Sequence, residues 1–140
     1  MSDHVVAAAS AANEEKPYGV RIVTGGHTLR GDEPVDHGGG DTGPTPFGLL
    51  LSGLGACTAI TLRMYADRQQ WPLTGVEVEL TYVVQDRETR WIDRAITLHG
   101  PLGQDHLARL AEIAEKTPVT RAVRAGTEIR TKLGGAEPGR

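Results

Sequence analysis

Cysteine is nearly absent from this sequence: Cys57 is the only one in 140 residues. A single thiol excludes an internal disulfide, a Cys-X-X-Cys redox pair and a multi-cysteine zinc site. It fits a reducing compartment, and a cytoplasmic setting is the expectation. Runs of basic residues are absent too. The net charge is −3 and the pI near 5.9, with lysines and arginines scattered, so nucleic acid is not an expected partner. Met1 to Ala12 carries Asp3 and His4, with no basic start and no sustained apolar centre, which argues against a signal peptide. The longest uncharged apolar stretch, around Leu49 to Leu62, is short for a membrane span and rich in glycine, so no membrane partner is expected. No internal repeat is evident. A chain of this size supports one domain with a modest core, or a protomer that completes its core by association.

What the sequence does have is a strongly apolar stretch from Thr45 to Asp67, which holds Cys57. Thr45 suits a helix N-cap and Pro46 the first helical position, where a missing N–H costs nothing. From Phe47 to Ile60 no charge occurs on any face, so the helix is expected to be covered all round. Ser52, Gly53, Gly55, Ala56 and Ala59 place small side chains in its middle. Each helical glycine costs roughly 1 kcal/mol relative to alanine, and close approach of another backbone is the expected compensation. On composition alone, Cys57 reads as a small buried hydrophobe.

Around this helix the chain divides into recognisable runs. Residues 1–16 lack periodicity and read as a disordered tail, 17–133 as the domain, and 134–140 as a second tail. Val20, Ile22 and Val23, the Gly25-Gly26 pair and His27 to Arg30 predict a β-hairpin. Gly31 to Pro44 is a glycine-rich loop. It lacks a Gly-Lys-Ser/Thr ending and carries Asp32, Glu33, Asp36 and Asp41, which oppose a phosphate. Val76, Val78, Leu80, Tyr82 and Val84 alternate with more polar neighbours, and Ile92, Ile96 and Leu98 share a face in the next run, predicting two antiparallel strands. Gln104 to Lys116 predicts an amphipathic helix with Leu107, Leu110, Ala111 and Ala114 on one side. Thr117-Pro118 interrupts it, and Thr117 can cap a short helix from Val119 to Ala125. Thr127 to Leu133 reads as a last strand. The order β-β-α-β-β-α-α-β predicts an α+β domain with an antiparallel sheet.

Several of these stretches together resemble one family. The run Gly43-Pro44-Thr45-Pro46-Phe47 through Leu49-Leu50-Leu51, continued by Leu54-Gly55-Ala56-Cys57-Thr58-Ala59 and Thr61-Leu62-Arg63-Met64-Tyr65-Ala66-Asp67-Arg68, carries most of the likeness. His27 with Asp32-Glu33-Pro34, Gly38-Gly39, Trp71-Pro72-Leu73, and Ile113 to Lys116 followed by Pro118-Val119 add to it. From about Tyr18 to Leu133 the chain resembles the OsmC/Ohr family of osmotically induced and organic-hydroperoxide-resistance proteins, in its OsmC-like branch. The resemblance implies antiparallel sheets around long buried central helices, in an interlocked homodimer with active sites near the subunit interface.

The resemblance also implies chemistry at named positions. Members that reduce hydroperoxides use a peroxidatic cysteine on the buried helix, matched by Cys57, and a resolving cysteine in a Cys-Pro-Val segment, where this chain has Thr117. The family's glutamate position falls at Gly48, and its arginine corresponds to Arg21 or Arg30. Thiolate attack on a peroxide gives a sulfenic acid that a second thiol resolves. Because burial opposes thiol ionisation, a cation or helix terminus must offset it. Arg21, Arg30 and an arginine of a partner subunit are candidates, with Arg63 as the local alternative.

Two functions follow as expectations. One is reduction of organic hydroperoxides by Cys57 alone, regenerated by an external thiol reductant, small or protein-borne. The other is a non-enzymatic dimer that binds a small lipophilic ligand or a protein, with Cys57 only packed; Gly48 and Thr117 favour it. A cysteine hydrolase or a zinc site drawn from Cys57, His27, His37, His99 and His106 is poorly supported, because the spacings match no known motif. The histidines read as solvent-exposed, and neither cofactor nor metal is expected.

Overall fold

The computed structural model describes residues 3–135. In chain order it contains β1 (Ala9–Asn13), β2 (Val20–Thr24), β3 (His27–Gly31), a 3-10 turn (Val35–His37), α1 (Pro46–Gln69), β4 (Gly75–Val84), β5 (Arg90–His99), α2 (Gln104–Ala114) and α3 (Pro118–Ala125). Two compact units share these elements. One runs to Ala56 and resumes over Glu77–Thr97, and the other comprises Cys57–Val76 and the chain from Leu98 onward.

In the first unit, Gly25 and Gly26 take φ angles of 57° and 78°, the left-handed pair whose twist suits a two-residue hairpin. They set Thr24 opposite His27 and Val20 opposite Gly31, as the sequence predicts. The expected disordered N-terminal tail needs correction: Ala9–Asn13 is a strand, antiparallel to β2 from Ala9 opposite Thr24 to Asn13 opposite Val20. All five of its residues are exposed. Backbone pairing and a bond from Thr24 Oγ1 to the Ala8 carbonyl (2.8 Å) hold it, so no apolar alternation marks it in the sequence.

The glycine-rich loop is ordered around Asp32, whose side chain is buried. Its carboxylate accepts hydrogen bonds from Thr42 Oγ1 (2.7 Å), the Thr42 N–H (3.1 Å) and the Glu33 N–H (2.7 Å). These bonds, with the Thr42 hydroxyl first, hold the acid below its ordinary value of 3.8. A Cβ at Gly39 would collide with the Glu33 carbonyl, so the loop's tight wrap requires glycine there.

The loop delivers the chain into α1, whose start matches expectation: Thr45 Oγ1 accepts the Gly48 N–H at 3.0 Å. Gln70, with φ of 59°, ends it. Leu54, Thr58, Leu62 and Ala66 are buried along one stripe, and burying a leucine of this kind contributes roughly 1.5–3 kcal/mol. The expectation of cover on every face is not met by the single chain. Phe47, Leu50, Ile60 and Met64 are 54%, 40%, 58% and 51% exposed. At 24 residues, with a mean hydropathy of 1.5 over its most apolar 18, α1 is long and apolar enough to cross a membrane by length and composition alone. It outruns the uncharged stretch because its last turns carry Arg63, Asp67 and Arg68.

β4 and β5 form a hairpin, its connection fixed by Asp86 Oδ1, which accepts from the N–H groups of Glu88 (2.9 Å) and Thr89 (2.8 Å). The alternation along β4 holds from Val76 to Tyr82 but ends there, since Val83 is half-buried and Val84 exposed. On β5 the half-buried face comprises Ile92, Ile96 and Leu98 as expected, with Arg94 among them. The close approach predicted by the small residues of α1 occurs at Gly55, where a Cβ would stand 2.9 Å from Leu80 Cδ1. The neighbour is a strand side chain rather than another helix. Phe47 adds a ring contact with Tyr82 at 4.5 Å between centroids.

In the second unit, Leu62, Ala66, Leu73, Leu110 and Ala114 are the buried apolar side chains. Of the predicted apolar side of α2, Leu110 and Ala114 are inside while Leu107 and Ala111 are exposed. Tyr65, Trp71 and His106 stack in series, with centroids at 5.5 Å and 4.5 Å. Arg109 Nε donates to Tyr65 Oη at 2.9 Å. The predicted last strand is a further correction: residues 127–133 belong to no sheet, and Ile129 and Leu133 are 86% and 91% exposed. The alternating pattern is there, but it pairs with no strand among the described residues. Of the predicted C-terminal tail, residues 136–140 lie outside the described residues.

Candidate functional site at Cys57

Cys57 lies on the face of α1 that also carries Leu50, Gly53 and Thr61 at helical spacing, and it is half-buried. Its Sγ has two polar neighbours among the described residues. The Val119 backbone N–H donates to it at 3.5 Å, and Thr61 Oγ1 lies 3.9 Å away.

The first contact is built by the start of α3. Thr117 is the N-cap and Pro118 occupies N1. Thr117 Oγ1 accepts the Thr120 N–H at 3.4 Å, and the Thr117 carbonyl accepts the Arg121 N–H at 3.0 Å. Pro118 has no N–H. The first turn of a helix leaves N–H groups without intrahelical partners, and here the N–H of Val119, at N2, is directed at sulfur. Behind it, the Thr117 and Thr120 hydroxyls meet at 2.6 Å, and Thr120 Oγ1 donates to the Ala114 carbonyl at 3.5 Å. Thr117 is fully buried and Thr120 nearly so, so this hydroxyl pair anchors the turn. A helix N-terminus carries partial positive charge, and Cys57 Sγ faces it.

The other predicted site residues are placed differently. Arg30, on β3, pairs with Glu14 at 2.8 Å. Arg21 stands opposite Arg30 in the β2–β3 register and is exposed. Both belong to the first unit and Cys57 to the second; neither is among the hydrogen-bonding partners of Sγ. Arg63 is turned to other work: it donates to the Leu73 carbonyl and lies 3.6 Å from Asp67. His27, His37 and His99 are exposed as expected. His106 is a correction, being half-buried against Trp71, with Nδ1 accepting the Gly103 N–H at 3.2 Å. No group of three or more His, Cys, Asp or Glu side chains suited to a metal occurs among the described residues.

A family profile for OsmC-like proteins matches residues 38–132. The chain belongs to the OsmC-like family. No curated protein sequence matches it. Among solved structures, an OsmC-like protein from Mycoplasma pneumoniae is similar with a TM-score of 0.72 at 17% identity, covering 89% of each chain. A protein from Psychrobacter arcticus, described as an osmotic stress induced and detoxification response protein, gives 0.71 at 19% identity over 87% of this chain and 90% of that one. The organic hydroperoxide resistance protein OsmC from Legionella pneumophila gives 0.64 at 21% identity, covering 88% and 92%. These likenesses establish an OsmC-like fold for this mixed α+β chain.

Within this OsmC-like chain, the sequence pointed to Cys57 and to Thr117 as a cap, but not to Val119. Its contribution is a backbone N–H, which residue identity does not mark. The available signal was the Thr-Pro-Val order itself, since a capped helix with proline at N1 leaves the N2 donor to find a partner elsewhere.

Proposed function

We propose that this OsmC-like protein reduces organic hydroperoxides through Cys57 alone, with an external thiol as reductant. The observation that carries the reading is the Val119 N–H directed at Cys57 Sγ, a donor positioned toward the sulfur as it carries negative charge. The thiolate attacks one peroxide oxygen, the alcohol leaves, and Cys57 becomes a sulfenic acid. Thr117 occupies the position where the family's two-thiol members carry the resolving cysteine, so regeneration falls to a thiol from outside. Arg21 and Arg30, the cations that the resemblance implies, are secondary to the Val119 donor in this reading. A reducing, cytoplasmic setting belongs to it, and nucleic acid, membrane, metal and cofactor do not.

A homodimer is part of the same proposal. The exposed apolar residues Phe47, Leu50, Ile60 and Met64 on α1 are a surface that a second copy would cover. That surface also favours the second reading, a non-enzymatic dimer that holds a small lipophilic ligand.

The two readings separate on one measurement. Reduced protein is mixed with excess cumene hydroperoxide, and peroxide loss and the state of Cys57 are followed with dithiothreitol present and absent. Oxidation of Cys57 with catalytic turnover supports the enzyme, and Cys57→Ser removes both. A thiol that stays reduced under excess peroxide sinks it in favour of the binding role.

A further inference from the structure

We infer that the Val119 backbone nitrogen is the resolving group of this chain: after Cys57 is oxidised to the sulfenic acid, that nitrogen closes on Sγ to form a cyclic sulfenamide. The inference rests on the reading of Cys57 as the peroxide-reactive thiol.

Three observations lead to it. The nitrogen stands 3.5 Å from Sγ with its hydrogen directed at the sulfur. Of the neighbouring nitrogens in α3, Pro118 has no hydrogen, while those of Thr120 and Arg121 donate to the Thr117 side chain and carbonyl. Val119 is therefore the one of these that can exchange its hydrogen for sulfur. Third, Val119 lies at N2, where the N–H has no intrahelical acceptor. Replacing that hydrogen costs no helix bond, for the reason that proline is tolerated in a first turn. The buried Thr117–Thr120 hydroxyl pair and the fixed φ of Pro118 hold the nitrogen in place.

The chemistry balances without a second cysteine. The organic hydroperoxide takes two electrons from the Cys57 thiolate: its O–O bond breaks, an S–O bond forms, and the alcohol departs with a proton. The sulfenic hydroxyl and the Val119 hydrogen then leave as water while an S–N bond forms, with no change in the oxidation level of sulfur. An external thiol attacks Sγ, the S–N bond breaks and the proton returns to nitrogen, giving a mixed disulfide. A second thiol releases Cys57 as the thiol and leaves as the external disulfide. A sulfenic acid with no partner thiol is open to a second peroxide and irreversible sulfinic acid. Closure onto nitrogen blocks that route.

The test uses the full chain with one equivalent of cumene hydroperoxide, N-ethylmaleimide to block remaining thiols, and mass spectrometry before and after trypsin. The expected product is about 2 Da lighter than the thiol form, unreactive to dimedone and restored by dithiothreitol. Digestion should join the peptide from Gly31 to Arg63 to the peptide from Thr117 to Arg121. Val119→Pro, which has no hydrogen to lose, should yield no lighter species and pass to sulfinic acid at excess peroxide. A wild-type product that is only dimedone-reactive sulfenic acid, sulfinic acid or an intermolecular disulfide overturns the sulfenamide and leaves Cys57 peroxide-reactive. A Cys57 that is not oxidised at all overturns both.

Discussion

The Val119 N–H and Cys57 Sγ meet at 3.5 Å although 62 residues separate them in the chain. The contact joins the middle of α1 to the first turn of α3, and it places a backbone donor beside the sulfur.

Thr117→Ala removes the cap of α3 and the hydroxyl that meets Thr120 Oγ1. A lost cap costs about 1 kcal/mol, measurable as a lower urea midpoint at unchanged slope. Because the turn then holds Val119 less firmly, the rate of Cys57 oxidation by cumene hydroperoxide should fall as well. Thr117→Ser keeps the oxygen and should restore both quantities. Rescue of stability without rescue of rate would separate Thr117 from the chemistry.

Arg21→Ala and Arg30→Ala address the source of positive charge near the thiol. Arg30 is already paired with Glu14, and Sγ has its donor from Val119, so each variant should change the oxidation rate of Cys57 by less than about threefold. Removing a donor that contacts a developing charge costs on the order of 100-fold. A loss of that size in either variant, read by stopped-flow fluorescence or by quenched mass spectrometry, would make that arginine the activating cation.

Ile60→Asp places a carboxylate on the exposed stripe of α1, where Ile60 is 58% exposed. If a second copy covers the stripe, burying the charge costs several kcal/mol per site. Light scattering coupled to size exclusion should then show half the mass of the wild-type particle. An unchanged mass at micromolar concentration would remove this face from the dimer contact.

Asp32 gives a pH dependence with a definite sign. Hydrogen bonds from Thr42 and Glu33 lower its pKa below the ordinary 3.8, so the folded state binds its proton less readily than the unfolded chain. Its contribution is complete well above pH 3.8 and is lost as the pH falls through the lower folded value. Asp32→Asn should lower the thermal midpoint at pH 7, and the gap from the wild type should narrow below that range. A gap that is constant with pH would show that the carboxylate charge plays no part.

Much of the architecture was legible because it depends on local chemistry. Thr45 before Pro46, Gly25-Gly26 between β-type runs, and Thr117 before Pro118 each settle a cap or a turn within a few residues, and all three stand in the fold as read. Strand Ala9–Asn13 was not legible, since its exposed small residues depend on pairing with β2. The reverse happened over residues 127–133, where an alternating pattern pairs with no strand among the described residues.

By itself the sequence determined the order of elements from β2 to α3, the placement of the single thiol on α1, and the Thr117 cap before Pro118. These follow from side-chain identity, periodicity and capping, which act over one or two turns. Only the tertiary structure decided which group meets the sulfur. A backbone N–H is common to every residue but proline, so its meaning lies in where packing brings it. Here a buried pair of threonine hydroxyls fixes the first turn of α3 with its one uncommitted donor against Cys57.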